Sequence, residues 1–396
     1  MTSEYIENKL KVVMIAPGHD HLDQRVRRSV QVLRELNFSV DLFFENHRVE
    51  DKILDSNVYA YDAIGILSVI FGFRATFSSE MKSKVSEADI IYIHDSGLYG
   101  LRLLRILLKF STKAIVIFDY HDWAAWEVVH HSRKLSSNKY FLSILTYLAE
   151  KVLQKTYLFR PKIDALIGIT NSQLECFEKT FGYKREIAKC AVANTRPKII
   201  ELQYESEEID PTLNLIWIGN VGLGRGFEEV VSMRDSILKS NLVQFNDINL
   251  TVFGKVWGKQ TFSSLDDLDF RGSFKNDAEI YQKMPRTRLV GIFQGWDDTH
   301  DTKINEIASP NKVYSYLNLG IPFLINNKLT DFIQVANVPD CFVYRDSGDF
   351  LEKIAYLNKN YLESRELVLE LRNNVSWDAD ESQRIKTFLA DVTGAR

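Results

Sequence analysis

Cysteine is scarce in this chain, with three in 396 residues, at positions 176, 190 and 341. That number and scatter exclude a disulfide framework and a zinc site built on thiolates. Long apolar runs are missing as well. No uninterrupted stretch approaches the roughly 20 residues that span a bilayer. The opening MTSEYIENKLK has no apolar segment of the kind a secretory signal needs. There is no surplus of positive charge either: 49 Lys and Arg stand against 53 Asp and Glu, for a net charge of −4. A dedicated nucleic-acid binder is therefore not expected. These absences together predict a protein made and kept in the cytoplasm.

What remains is an ordinary globular balance, 45% hydrophobic and 26% charged. At about 100–200 residues per domain, the length implies two domains. The charge is uneven. Residues 1–200 hold 28 basic and 23 acidic side chains, and residues 201–396 hold 21 and 30. A basic half and an acidic half suggest domains that face different partners.

The patterning is α/β. In LKVVMIAPGHDHLDQRVRRSVQVLRELNFSVDLFFE, Val12–Ala16 is an apolar run of strand length that Pro17-Gly18 breaks. Asp23 can cap a helix whose apolar positions Val26, Val30, Leu33 and Leu36 recur at helical spacing, and Val40–Phe44 is a second strand. The same grammar returns with strands at Ile90–Ile93, Ala114–Phe118 and within DALIGIT (164–170). A linker near residues 197–212 follows. The pattern then restarts with LNLIWIGNVGLGRGFEEVV, INLTVFGK, LVGIFQG and IPFLINN. Two consecutive Rossmann-like, doubly wound parallel-sheet domains are expected.

Three places carry chemistry. In open α/β sheets ligands bind beyond the carboxyl ends of the strands, and two successive strands end in His94-Asp95 and in FDYHDW (118–123). Capping of the following helices is the plain account of either pair alone, but two such pairs favour a site. Second, IGNVGLGRGFEEVV sets glycines at 219, 222, 224 and 226 between a strand and a helix. Glycines let the backbone approach a phosphate at a helix N-terminus, and Arg225 adds a fork of charged donors. Third, ASPNKVYSYLNLGIPFLINN (308–327) contains a helix that Ser309 or Asn311 can cap and Gly320 ends. Lys312 in its first turn is electrostatically odd, because helix starts favour acids. An anionic ligand beside it would account for the cation; a solvated lysine is the plain alternative.

In order and spacing these segments resemble the GT-B nucleotide-sugar glycosyltransferases, and most closely the large retaining branch (glycosyltransferase family 4-like) of bacterial surface-polysaccharide synthesis. The resemblance rests on the HD and FDYHD strand ends, GNVGLGRG and SPNKVYSYLNLGIP. It is extended by LDQRVRRSVQVLRELNFSVDL, by AVANTRP and by the C-terminal VSWDADESQRIKTFLADV. It implies two domains facing across a cleft: residues 1–197 on the acceptor side, 198–375 for the nucleotide sugar, and 376–396 as a helix crossing back. By position, His121 would contact the donor sugar near the reacting carbon. Arg225 and Lys312 would neutralise the leaving diphosphate. Gly18, Asn220, Gly222, Ser309, Pro310, Asn311 and Ser315 would line the donor, with Arg271 and Gly272 near the base. Asp95, Asp119, Asp122, Trp123 and Glu127 would lie towards the acceptor.

The resemblance implies a hexosyltransferase that needs no metal and no cofactor beyond its nucleotide diphosphate sugar, and whose acceptor is a glycan or lipid-linked hydroxyl. Asp378-Ala-Asp380 formally matches a metal-binding DxD motif but falls in the C-terminal helix. The sequence departs from the retaining pattern in three respects. The two glutamates that the branch carries eight positions apart are Ile307 and Ser315 here, Asn220 replaces a common arginine, and Asp122 a common glutamate. An inverting transferase, an epimerase or a non-catalytic scaffold of the same fold stays open. The basic, aromatic stretch 132–162 and the helical face of Arg102, Arg105 and Lys109 fit either a solvated rim or docking on the anionic inner membrane surface.

Overall fold

The structure is a computed structural model. It describes residues 9–17, 19, 23–45, 52–53, 56–62, 77–95, 98–120, 144, 161–183, 187–193, 209–219, 221, 227–240, 248–256, 268–274, 276–293, 311–375 and 379–394. The chain divides into two compact units. One comprises Met1–Val129, Ser137–Ala193 and Ala379–Arg396; the other comprises His130–Ser136 and Asn194–Asp378.

The first unit runs β1 (Lys11–Ala16), α1 (Gln24–Glu35), β2 (Ser39–Glu45), β3 (Lys52–Ile53), β4 (Ser56–Tyr61), α2 (Ser79–Glu87), β5 (Ile90–Asp95), α3 (Leu98–Leu107), β6 (Ile115–Tyr120), β7 (Ala165–Gly168), α4 (Asn171–Phe181) and β8 (Ala188–Ala191). Its sheet has the order β3-β4-β2-β1-β5-β6-β7-β8. All pairings are parallel except that of β3 with β4 at the edge. Crossover helices cover both faces of a parallel sheet, which is why its central strands are apolar without alternation. KVVMIA, IIYIHD and ALIG accordingly bury nearly every residue.

Local chemistry sets the helix ends. Asp23 caps α1 by accepting from the backbone N–H groups of Arg25 and Val26, two of the donors that a helix start leaves unmet. Asn37 closes α1 in the left-handed region at φ 63°. The chain returns to this unit in its last helix, α11 (Ala379–Thr393). Ile385 and Leu389, one turn apart, are buried. Arg384 Nη2 donates to the Ala191 carbonyl at 2.6 Å, and Lys386 pairs with Glu35 at the end of α1. Lys386, and after it Gln31, hold the Glu35 carboxyl below its ordinary range.

The second unit runs β9 (Asp210–Ile218), α5 (Phe227–Lys239), β10 (Leu250–Phe253), β11 (Asp269–Gly272), α6 (Asp277–Lys283), β12 (Thr287–Ile292), α7 (Asn311–Leu319), β13 (Phe323–Asn326), α8 (Thr330–Val335), β14 (Val343–Tyr344), α9 (Ser347–Lys359) and α10 (Tyr361–Val375). Its six strands are all parallel, in the order β11-β10-β9-β12-β13-β14. Gly320 ends α7 at φ 64°, and the next N–H, of Ile321, bonds back to the Tyr316 carbonyl at 2.9 Å. This is the glycine stop expected from the sequence. Among the described residues no helix is long and apolar enough to cross a membrane.

Candidate functional site

Each sheet has one place where the strand order reverses, and in such sheets that crevice is where ligands bind. In the first unit it lies between β1 and β5, which run on to β2 and β6 in opposite directions. The carboxyl ends there carry a buried polar network. Asp119 is its hub. In register with His94 across the parallel pair, Asp119 accepts the His94 Nδ1–H at 3.0 Å and the Tyr92 hydroxyl at 3.0 Å on Oδ2. Tyr92 stands two residues before His94, on the same face of β5. Arg25 closes the other side, donating to Asp119 Oδ1 from Nη2 at 2.7 Å and from Nε at 3.1 Å. Its third nitrogen, Nη1, donates to the Val192 carbonyl at 2.9 Å.

His19 stands above this hub. It donates Nδ1–H to Asp23 Oδ2 at 2.8 Å, and its ring meets that of His94 edge-on, with centroids 4.7 Å apart. Asp23 thus does two jobs, capping α1 with one oxygen and fixing the His19 tautomer with the other. Ligand atoms of His19, Asp23 and His94 lie within 4.8 Å of one another, so the trio could hold a metal ion. His19 would ligate through Nε2, the nitrogen that its hydrogen bond to Asp23 leaves unprotonated.

Burial and charge oppose each other across the network. Desolvation alone would lower the Arg25 guanidinium, but the Asp119 charge and hydrogen bonds outweigh it and the net direction is upward. For His94 the balance falls the other way. At 3.0 Å from Asp119 it has ion-pair geometry, yet desolvation outweighs the carboxylate and lowers its pKa below 6.5, so the imidazole is neutral near pH 7. Burial, followed by the Asp119 charge, raises the Tyr92 phenol well above its usual range.

A linkage prediction follows. The unfolded chain takes up a proton at His94 near pH 6.5 while the folded chain resists it. That part of the stability is therefore intact above 6.5 and declines as pH falls towards the folded value. For one group the slope cannot exceed about 1.4 kcal/mol per pH unit. Denaturant unfolding of wild type and His94→Gln between about pH 5 and 8 should show the variant losing less stability on the acid side; parallel curves would contradict this.

In the second unit the order reverses between β9 and β12. Tyr316 ties α7 to that point. Its hydroxyl donates towards the carbonyls of Ile292 (2.8 Å) and Ile216 (3.1 Å) and accepts the Ile218 N–H at 3.3 Å. Its ring lies against Gly291, where a Cβ would come within 2.6 Å of it. Lys312, one turn before Tyr316, shares its helix face. The Lys312 Nζ sits 3.0 Å from the centre of the Trp217 ring and 5.9 Å from that of Phe293. Gly219 follows β9 with φ 143°, and a Cβ there would stand 2.6 Å from Lys312 Cε.

The other expected site residues fall into three groups. Asp95 is buried, pressed against Gly100 of α3, where any Cβ would collide with its carboxylate. Asp119 is buried at the hub described above. Ser315 is buried as well, its hydroxyl donating to Asp277 Oδ1 at 2.9 Å beside Asn318 on Oδ2; the hydroxyl serves the packing of α7 on α6. Asn311 is exposed in the first turn of α7. Arg271 pairs with Asp269 at 2.6 Å on edge strand β11, and Gly272 has φ 77° with open space around it. Gly18, His121, Asp122, Trp123, Glu127, Asn220, Gly222, Arg225, Ser309 and Pro310 lie outside the described residues. His19, Asp23, Arg25 and Trp217 join the site although sequence reasoning did not place them there. One signal was available, an arginine in the first turn of α1, a turn that holds no acid of its own, the same anomaly that drew attention to Lys312.

No protein-family profile and no curated protein matches the sequence. Solved structures do match the fold. A lipopolysaccharide outer core galactosyltransferase, WaaB in its apo form, is 12% identical with a TM-score of 0.58, over 96% of this chain and 99% of its own. A glycosyltransferase from Rickettsia africae ESF-5 is 10% identical with a TM-score of 0.54, over 97% and 99%. An alpha-glucosyltransferase solved with UDP and a 13-mer DNA containing an HMU base is 11% identical with a TM-score of 0.55, over 96% and 99%. The fold is the two-domain, Rossmann-like GT-B fold.

Proposed function

We propose that the chain is a metal-independent glycosyltransferase that moves a sugar from a nucleotide diphosphate sugar to a glycan or lipid-linked hydroxyl in bacterial surface-polysaccharide synthesis. One observation carries this reading. Lys312, at the start of α7, is held beside Gly219 at the reversal point of the second sheet, where backbone N–H groups, a helix N-terminus and an ammonium would converge on phosphate. Sequence GNVGLGRG, which begins at that glycine, adds Arg225. The GT-B neighbours support the class: one was solved with UDP and another is a lipopolysaccharide galactosyltransferase.

In the proposed reaction the bond from the anomeric carbon to the β-phosphate oxygen breaks, a new bond forms from that carbon to the acceptor oxygen with retention, and the acceptor hydroxyl gives up its proton to the departing diphosphate. Negative charge builds on the departing diphosphate. Arg225 and Lys312 stabilise it, the kind of preorganised electrostatic help that contributes most in many active sites. His121 contacts the donor sugar. Asn220, Gly222, Ser309, Pro310, Asn311 and Gly18 line the donor, and Asp122, Trp123 and Glu127 face the acceptor. The enzyme works in the cytoplasm, with the basic face around Arg102 and Arg105 turned to the inner leaflet. Burial, and next to it Arg105, push the Arg102 guanidinium down to about 10, a strain that an anionic surface would relieve.

A second reading, a binding subunit that has lost catalysis, draws on Ser315: it stands where a retaining enzyme has a glutamate, and its hydroxyl is engaged by Asp277. Thermal-shift measurements against UDP-, GDP-, CMP- and dTDP-sugars test the class. One base should raise the melting temperature in a dose-dependent way. If no nucleotide sugar shifts it at millimolar concentration, the transferase reading fails.

A further inference from the structure

The geometry points to Trp217 as a positioning residue that holds the Lys312 ammonium at the reversal point of the second sheet, ready for a phosphate-bearing ligand. This rests on the donor-site reading for the ligand, but not for the clamp itself.

Trp217 is the penultimate residue of β9 and is fully buried, flanked edge-on by Phe227 at 5.8 Å. Among the described residues its Nε1–H finds no hydrogen-bond partner. A buried donor left unmet is costly, so Phe or Leu would fill this strand position more comfortably. The indole offers one thing they do not, the aromatic face that attracts cations most strongly. That face carries an ammonium 3.0 Å from its centre.

Gly219 also packs closely against the lysine stem. Its backbone conformation, at φ 143°, disfavours side chains, and any Cβ would stand 2.6 Å from Lys312 Cε. Lysine is a compact charge on a flexible four-carbon stem, so an unrestrained one would have to be ordered by its ligand. Here the stem packs against a glycine backbone and its ammonium against an indole face, and most of that ordering is done before any ligand arrives. The strand residue, the glycine two positions on, and the helix-start lysine about 95 residues later thus form one device, with each supplying what the other two require.

The test has two readouts. The first needs no ligand: competitive acetylation of the whole protein, with Lys312 followed by peptide mass spectrometry. Lys312 should react more slowly than the exposed lysines. Trp217→Leu should speed it about tenfold, and Trp217→Phe, which keeps an aromatic face, should do so by no more than about threefold. Equal rates in wild type and Trp217→Leu would overturn the clamp.

The second is a double-mutant cycle on UDP and UDP-sugar dissociation constants, with circular dichroism checking that each variant is folded. Trp217→Leu and Lys312→Ala should each weaken binding about tenfold or more, and the double variant should be no weaker than Lys312→Ala alone. Additive losses would mean that Trp217 acts through packing and would overturn the proposal. If acetylation shows the clamp but wild type binds no nucleotide or nucleotide sugar of any base, the clamp is supported and the donor-site reading is what fails.

Discussion

Asp119→Ala is expected to destabilise the first unit by about 3–5 kcal/mol, the usual consequence of breaking a buried ion pair from one side. Asp119 is 1% exposed and Arg25 7%, so removing the carboxylate strands a guanidinium that water cannot reach. His94 Nδ1–H loses its Asp119 acceptor in the same step, and the Tyr92 hydroxyl keeps only Ser29 Oγ, at 3.2 Å. Asp119→Asn would keep the shape and still leave Arg25 uncompensated. Replacing both partners, as in Arg25→Met with Asp119→Leu, should recover much of the loss, because the desolvation cost of both charges disappears together. Urea denaturation followed by far-UV circular dichroism measures this. A loss under about 1 kcal/mol for Asp119→Ala, typical of exposed pairs, would show that water reaches the network.

The second large effect concerns His121, the residue that follows the buried end of β6. His121→Ala should abolish transfer while leaving the melting temperature within a degree or two of wild type. A loss of at least about 10²–10³ in kcat is expected where one group contacting the reacting centre is removed. The stability expectation rests on position. The polar hub that anchors β6 is built by Asp119, and the strand's last buried side chain is Tyr120; the substitution leaves both in place. Unchanged turnover would remove His121 from the site. Equal losses of turnover and stability would move it into the structural network instead.

The two effects separate the roles of neighbours in one short segment. Within FDYHDW, Asp119 completes a folding device, and His121 is the residue proposed to contact the donor. The part that Asp119 plays was hidden in the sequence. Asp119 reads there as a polar residue at a strand end, and nothing local says that its partner is an arginine 94 positions earlier. Buried pairings between distant residues leave no periodic trace.

The sheets were far easier to read. Parallel strands buried on both faces produce continuous apolar runs, so KVVMIA, IIYIHD, IVIFDY, LNLIWI and TRLVGI announce themselves, and the turn residues between them set the βα order. The strands that escaped notice were partly exposed or only two residues long. β4 (SNVYAY) and β11 (DFRG) are partly exposed, β8 (AKCA) is a half-exposed edge, and β3 and β14 have two residues each. In the second unit Lys312 stood out because a cation at a helix start is unfavourable. The indole that holds it did not, since a tryptophan in an apolar strand looks like core. Both sites therefore share one logic: a basic side chain in the first turn of a helix, aimed at a reversal point and met by a partner the sheet supplies.

The central claim is that this GT-B chain breaks the bond between a sugar and a nucleoside diphosphate. Its most direct test is ³¹P NMR of the purified protein with each nucleotide sugar in turn, with water or an added acceptor as the second substrate. The account predicts that one donor is consumed with release of its nucleoside diphosphate, that the others persist, and that consumption stops in His121→Ala and falls sharply in Lys312→Ala. Donors that all survive with every acceptor supplied, or a donor consumed equally fast by both variants, would contradict it.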